Sequence, residues 1–396
     1  MARSEQELRR EAVRRRLAGE PAVEVGQALG RSARWVQKWV ARHDPTHPDW
    51  AQGTKRGPER AGNRTAESVE AQVLGVRGRL AEHPWAQIGA PAIAWELEKL
   101  GASVPPERTI ERVLKRSGVT ERSRSRRRQP KGVPYPQAPA EIVGDLHEAD
   151  LVGPRYLDGG VRFYALNAVD LAPRRAGIEI VTDKSDHAVA GGLVALWQRL
   201  GVPLKAKFDN GGLKFDNGGP FIGARGLGLV ARLCLHNGVT PVFIPAGEPW
   251  RNGVVERFND TFDKRFFRTE RFPSRDALER RALAFERFHN AHHRYAAIGG
   301  HTPDERSPER ERRRPQTLSE LPDGWPAQGR VEFIRFIRSD RKLRLMRRSF
   351  EMPAAAVYEY VTAVLDLGIP TSEGNLRVQR EGELLATASV AIGGRS

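Results

Sequence analysis

The chain has a single cysteine, Cys234, among 396 residues. An internal disulfide is therefore excluded, and with scattered histidines and no second thiol the sequence argues against a structural zinc site. Cys234 lies in the apolar run LVARLCL and reads as a core residue. Also missing is any apolar run close to the roughly 20 residues of a transmembrane helix, and no signal-peptide pattern opens the sequence. The expectation is a cytoplasmic protein without a membrane partner. Acidic residues are in deficit, 49 against 65 basic ones, which gives a formal net charge of +16 and a pI near 10.5. Such a surface selects a polyanion, and nucleic acid is the polyanion expected.

The length exceeds one ordinary core, so about two to four domains are expected. Residues 1–45 read as helices over Glu5 to Leu17, Ala22 to Leu29 and Ser32 to Arg42, with Ser32 as N-cap and a tight GRS turn between the last two. This is the pattern of a helix-turn-helix DNA-binding domain, in which the third helix presents Arg34, Gln37, Lys38 and Arg42 and buries Trp35, Val36, Trp39 and Val40. A plain three-helix bundle is the alternative, and the overall charge favours DNA. Residues 46–64 form a linker. The plan repeats over 65–120, where helices near Glu67 to Glu82, across Ala90 to Leu100 and from about Arg108 predict a second helix-turn-helix domain. Its last helix bears Arg108, Arg112, Lys115 and Arg116. The segment 121–140 is a basic, Pro-rich linker, and its Arg126, Arg127 and Arg128 can track a phosphate backbone.

From Glu141 short apolar strands alternate with helices. Strands are expected near Ile142 to Leu151, Val161 to Asp170, Arg175 to Thr182, over LKAKF and over TPVFIP; helices over Asp186 to Leu200, Leu227 to Asn237 and Val254 to Arg268. This predicts an α/β core, 141–305, with a mixed five-stranded sheet and helices on its faces. A linker, 306–325, then leads to 326–396, expected as a small C-terminal antiparallel β-barrel with Arg335, Arg338, Arg341 and Arg344 on its surface and a hairpin turn at EGE.

Functional groups in open α/β sheets gather at the carboxyl ends of strands and at nearby helix starts. Asp150, Asp209 and Glu256 occupy such positions. The stretches around them, HEADLVGP, FDNGG and GEPWRNGVVERFNDTF, resemble the catalytic core of retroviral-integrase-like (D,D,E) transposases from bacterial insertion sequences. The stretch FHNAHHRYAAIGGHTPDE resembles the segment closing that core, so the resemblance spans about Glu141 to Glu305. It implies an RNase H-like core in which Asp150, Asp209 (or Asp216) and Glu256 hold two Mg²⁺ or Mn²⁺ ions. The implied activity is hydrolysis of a phosphodiester followed by transfer of a 3′-hydroxyl strand. Implied partners are double-stranded DNA at element ends and target, further copies of the chain on that DNA, and an accessory transposition protein, in a bacterial, nucleoid-associated setting. Arg257 and Lys264 are the phosphate contacts in this reading, with Lys264 one residue later than in the family.

Elementary chemistry agrees. Three carboxylates with reference pKa values of about 4 are all ionised at neutral pH and repel one another when gathered. Hard divalent cations relieve that repulsion, and two ions about 4 Å apart suit an in-line phosphoryl displacement. An inactive DNA-binding regulator and a structure-specific nuclease are the rival readings. The motif KFDNGG occurs twice, at Lys207 to Gly212 and Lys214 to Gly219. LKAKF makes a strand that aims Asp209, whereas Asp216 lies closer to Glu256 in sequence, and the family tends toward shorter separations. The strand argument favours Asp209, leaving Asp216 in a seven-residue insertion whose length costs little.

Overall fold

The computed structural model describes residues 4–53, 65–120, 132–138, 140–209, 222–223, 226–245, 247–307, 313–346, 348–368 and 373–391. The chain divides into two units, Met1–Ala66 and Glu67–Ser396.

The first unit carries α1 (Glu5–Leu17), α2 (Ala22–Leu29) and α3 (Ala33–Val40). Ser4 and Glu7 form a capping box at the start of α1, and Ser32 caps α3 by accepting from the Trp35 N–H at 3.2 Å. Gly30 ends α2 at φ +66°, and a Cβ on Gly26 would lie 2.6 Å from the Arg31 carbonyl oxygen, so the tight turn needs both glycines. Ala12, Val25 and Val36 form the small core, with Trp39 buried and Trp35 and Val40 only half-buried. Arg34, Gln37, Lys38 and Arg42 are exposed, as the helical spacing predicts. Part of the expected linker folds back on α1: Ala51 is fully buried and its carbonyl accepts from Arg9 at 3.0 Å.

The second unit opens with α4 (Glu67–Ala81), α5 (Ala90–Lys99) and α6 (Glu107–Arg116), whose core is Val73, Val76, Ile93, Leu97, Ile110, Val113 and Leu114. Arg108, Arg112, Lys115 and Arg116 are exposed, although Arg116 is paired with Glu70 of α4. The loop between α4 and α5 inserts Trp85 among Phe266, Phe285 and Phe288, and the Trp85 indole N–H donates to Glu270 at 3.0 Å. Arg265 donates to the Ala86 carbonyl, and Gln87 bonds to the Arg294 backbone in both directions. This helical module is thus clamped to the core that follows it, where the sequence predicts a separate domain.

That core comprises β1 (Leu146–Tyr156), β2 (Arg162–Asp170), β3 (Arg175–Val181), α7 (Asp186–Leu200), β4 (Lys205–Phe208), the short pair β5 (Ile222–Gly223) and β6 (Gly226–Leu227), α8 (Leu229–His236), β7 (Thr240–Phe243), α9 (Gly253–Phe262) and α10 (Arg275–His292). β1, β2 and β3 run as an antiparallel meander, and β4 and β7 add parallel strands beside β1. Cys234 is fully buried in the core on the α7 and α8 side, and its thiol is pushed up by that burial. On the other face α9, the turn that continues it and α10 bury Val255, Phe258, Phe262, Phe266 and Phe285 in one cluster with residues of β2 and β3. α10 also covers the β3 edge: Asn290 pairs both ways with the Ala176 backbone, and Glu286 accepts from the Ile178 N–H at 2.7 Å.

The C-terminal region departs from the expected barrel. β8 (Gly329–Phe336), the hairpin β9 (Lys342–Leu345) and β10 (Arg348–Glu351), β11 (Tyr360–Leu367), β12 (Glu373–Arg380) and β13 (Glu383–Ala391) follow, and β8 pairs parallel to β7. One nine-stranded sheet results, in the order β13-β12-β11-β8-β7-β4-β1-β2-β3, in place of a five-stranded sheet plus a barrel. The apolar face of β8 explains the join: Phe333 stacks on Phe243 at 5.3 Å, which continues to Phe208, so β8 closes an edge of β7 that would otherwise stand open. The EGE hairpin turn forms as predicted, with Glu381 and Gly382 at positive φ. Arg338, Arg341 and Arg344 are exposed, but Arg335 turns inward. Its guanidinium donates to the carbonyls of Phe243, Ile244 and Ile334, and burial brings it down to about 10.

The junction with the helical module contains a titration pair. His293 stacks on the fully buried His289 at 4.4 Å, and burial lowers His293 to about 4 and His289 well below its usual value. An unfolded imidazole protonates near its reference value of about 6.5, so between there and about 4 the unfolded chain binds the extra protons. Stability present above about pH 6.5 is therefore lost as pH falls, with the His293 proton costing roughly 2 kcal/mol by about pH 5. Thermal melts at neutral pH and at about pH 5 should show this loss, and His293→Gln should flatten it; an equal slope in the variant contradicts the assignment.

Candidate active site

The parallel register of β1 and β4 sets Ala149 beside Phe208, so Asp150 and Asp209 come next in line on neighbouring strands, about 5 Å apart at the backbone. Side chains alternate across a sheet, and Glu148, Asp150 and Lys207 face α9, as their bonds to that helix and its entry turn show. Glu256 lies in the first turn of α9. One turn later, the Asn259 amide donates to Asp150 at 2.7 Å and accepts from Asn167 at 2.8 Å, and Asn167 is the residue opposite Asp150 in the β1–β2 register. At the helix start, Asn252 is buried and donates to the Ala149 carbonyl at 3.0 Å. α9 is thus tied to β1 on both sides of Glu256.

The acids influence one another. Burial first, and then the charge of Asp209, push the Asp150 carboxyl above its usual range against the opposing bonds from the Leu151 N–H and Asn259. Glu256 is also raised, by burial first and then by Asp150, Asp209 and Glu148. Hard oxygen donors crowded until they resist ionisation fit a divalent cation. Among the described residues, no group of three or more His, Cys, Asp or Glu is gathered closely enough to hold a metal ion.

The remaining acids near β1 have structural partners. Asp145 accepts from the N–H groups of Glu141 and Ile142, each at 2.9 Å, and buried Asp170 accepts from the Gly144 N–H at 2.8 Å. Arg257 is exposed and lines a groove of about 990 Å³ with Tyr135, Lys205, Lys207, Trp250 and Arg251. Lys264 is exposed and paired with Asp260 at 2.6 Å. It falls in a π-helical turn, Asp263–Phe267, which directly continues α9. Asp216, Arg126, Arg127 and Arg128 lie outside the described residues.

The sequence reading placed none of Asn259, Asn167, Lys207 and Glu148 in the site. Two of these carried a signal. Asn259 is three residues after Glu256 on one helix face, and Glu148 is two before Asp150 on one strand face.

Residues 237–303 match the Integrase core domain family. That segment includes Glu256 and Asn259 and leaves Asp150 and Asp209 outside it. No curated protein matches the chain. Among solved structures, the chain is similar to the catalytic core domain of HTLV-2 integrase in complex with magnesium, at 14% identity over 42% of this chain and 99% of that one, with a TM-score of 0.32. It is similar to a chain of the simian T-cell lymphotropic virus intasome in complex with PP2A regulatory subunit B56 gamma, at 12% identity over 76% and 92%, with a TM-score of 0.36. A further likeness is to the catalytic core domain of BIV integrase, at 22% identity over 41% and 92%, with a TM-score of 0.30.

The raised carboxyl of Asp150 makes a stability prediction. Its ionised form is paid for by the fold, so Asp150→Asn should raise the melting temperature in chelator-treated protein at neutral pH by roughly 1–3 °C. Unchanged or lower melting would show that Asp150 is not held under electrostatic stress.

Proposed function

We propose that the chain is a DNA transposase or integrase, a D,D,E polynucleotidyl transferase that cuts a phosphodiester at element ends and joins the freed 3′-hydroxyl to target DNA. The observation carrying this reading is the convergence of Asp150, Asp209 and Glu256 from two adjacent parallel strands and the helix facing them, where burial first and then the charge of the neighbouring acids raise both Asp150 and Glu256. The match of 237–303 to the Integrase core domain supports it from sequence. Asp150, Asp209 and Glu256 would hold two Mg²⁺ or Mn²⁺ ions, and these would supply charge stabilisation to the attacking and leaving oxygens. Asn259 orients the Asp150 carboxylate, and Asn167 orients Asn259 in turn. Arg257 and Lys264, on the exposed side of α9 and its continuation, meet phosphates.

The helical modules 1–45 and 65–120 read element ends, through Arg34, Gln37, Lys38 and Arg42 in the first and Arg108, Arg112 and Lys115 in the second. Two ends must be joined in one event, so copies of the chain act together on DNA. An inactive DNA-binding regulator and a structure-specific nuclease with the same fold are the alternatives.

Incubation with end-sequence DNA and Mg²⁺ decides between them. Joined products are expected, reduced at least a hundredfold or so by Glu256→Gln; binding without metal-dependent products makes the chain a regulator, and cleavage without joining makes it a nuclease. Asp209→Asn should abolish both steps while Asp216→Asn retains activity, and the opposite pattern moves the ligand to Asp216. Affinity for DNA should fall roughly a thousandfold or more between about 50 and 200 mM salt.

A further inference from the structure

Glu148 is buried, 2% exposed, near the start of β1. One carboxylate oxygen, Oε2, accepts from the Val254 N–H at 2.9 Å and from the Val255 N–H at 3.0 Å. These are first-turn donors that no carbonyl of α9 can reach. The N-cap residue of α9, Asn252, makes no side-chain capping bond, and its amide nitrogen donates to the Ala149 carbonyl. The cap therefore comes from a neighbouring strand. The other oxygen, Oε1, meets the Lys207 ammonium of β4 at 2.6 Å, and that ammonium also donates to the Arg251 carbonyl at 2.9 Å, in the turn Pro249–Asn252 that enters α9.

Each participant stands one or two residues ahead of one of the three acids. Glu148 precedes Asp150, Lys207 precedes Asp209, and Val254 and Val255 precede Glu256. We propose that Glu148 and Lys207 are positioning residues, whose buried ion pair fixes the start of α9 against β1 and β4 and so sets the separation of Glu256 from Asp150 and Asp209. The inference rests on the reading of those three acids as the catalytic set. In this arrangement Oε2 of Glu148 serves the helix and Oε1 serves Lys207. A neutral cap would satisfy the helix equally well as a hydrogen-bond acceptor; the charge adds attraction to the helix N-terminus, and Lys207 compensates its burial.

Backbone amide exchange of the full-length protein, free of DNA, tests the cap, and single-turnover kinetics on end-sequence DNA with Mg²⁺ tests its consequence. Glu148→Ala should speed exchange at Val254 and Val255 about tenfold, the effect of losing one charged cap. Exchange in α7, on the opposite face, should stay as in the wild type and so report that the variant is folded. The rate at saturating DNA should fall with the DNA concentration for half-maximal rate unchanged. Glu148→Gln should behave similarly, because its amide N–H groups confront the Lys207 ammonium. Adding Lys207→Met to Glu148→Gln should restore much of both the protection and the rate, since the amide oxygen still accepts from Val254 and Val255 and the opposed cation is gone. Unchanged exchange in Glu148→Ala overturns the proposal, as does faster exchange with an undiminished rate, or a double variant no better than Glu148→Gln. Wild-type protein without metal-dependent products overturns the catalytic reading instead, and the exchange results still decide whether Glu148 holds the helix.

Discussion

The pinning of α9 to β1 is the constraint on which the candidate site depends. A helix lying across a sheet can slide or rotate by a few ångströms at little hydrophobic cost, because apolar contact is not directional. Directional bonds remove that freedom here. Glu148 holds the first turn, Asn252 holds the entry, and Asn259 reaches Asp150 one turn beyond Glu256. Phe258 and Phe262 supply the burial that keeps the helix down, while the polar bonds decide where along β1 it stops. A carboxylate on such a helix is held in place by the scaffold, as a site that gathers like charges requires.

The same unit shows how modules that look separate in sequence become one body. Trp85 enters an aromatic cluster contributed by the π-helical turn and α10, and Arg281 lies over its ring at 4.6 Å. At the other end of the sheet, β8 continues β7 and brings the C-terminal strands into the same hydrophobic core as α7 and α8. Arg335 shows the consequence for a single side chain. Read as part of a free-standing barrel it belongs on the surface, yet the join with β7 surrounds it with carbonyls and turns it into a structural donor.

Much of the core was legible because its signals are local. Alternation in LKAKF and the apolar run of Asp186 to Leu200 report the periods of strand and helix directly, and Ser32, Ser185 and Ser274 each cap the helix that follows. The long helix α10 was passed over except for its last turn, which belongs to the stretch FHNAHHRYAAIGGHTPDE, although Ser274 and Asp276 mark its start. The acids of the candidate site, Asp150, Asp209 and Glu256, were singled out from the sequence because their segments read as strands and a helix start. Their supporting residues were not. Nothing in the chain near Glu148 indicates that its partners are the backbone of residues 254 and 255 and a lysine at 207, because that pairing exists only once β1, β4 and α9 are adjacent.

What the sequence determines by itself is most of the helices and strands, their amphipathic faces and the cationic surface, all of which follow from composition and short-range period. What the tertiary structure alone decides is which elements share a sheet and which buried charges meet. The physical reason is that strand pairing and ion pairing across β1, β4, β7 and β8 join residues far apart along the chain, and their energies depend on distances and burial that no local stretch contains.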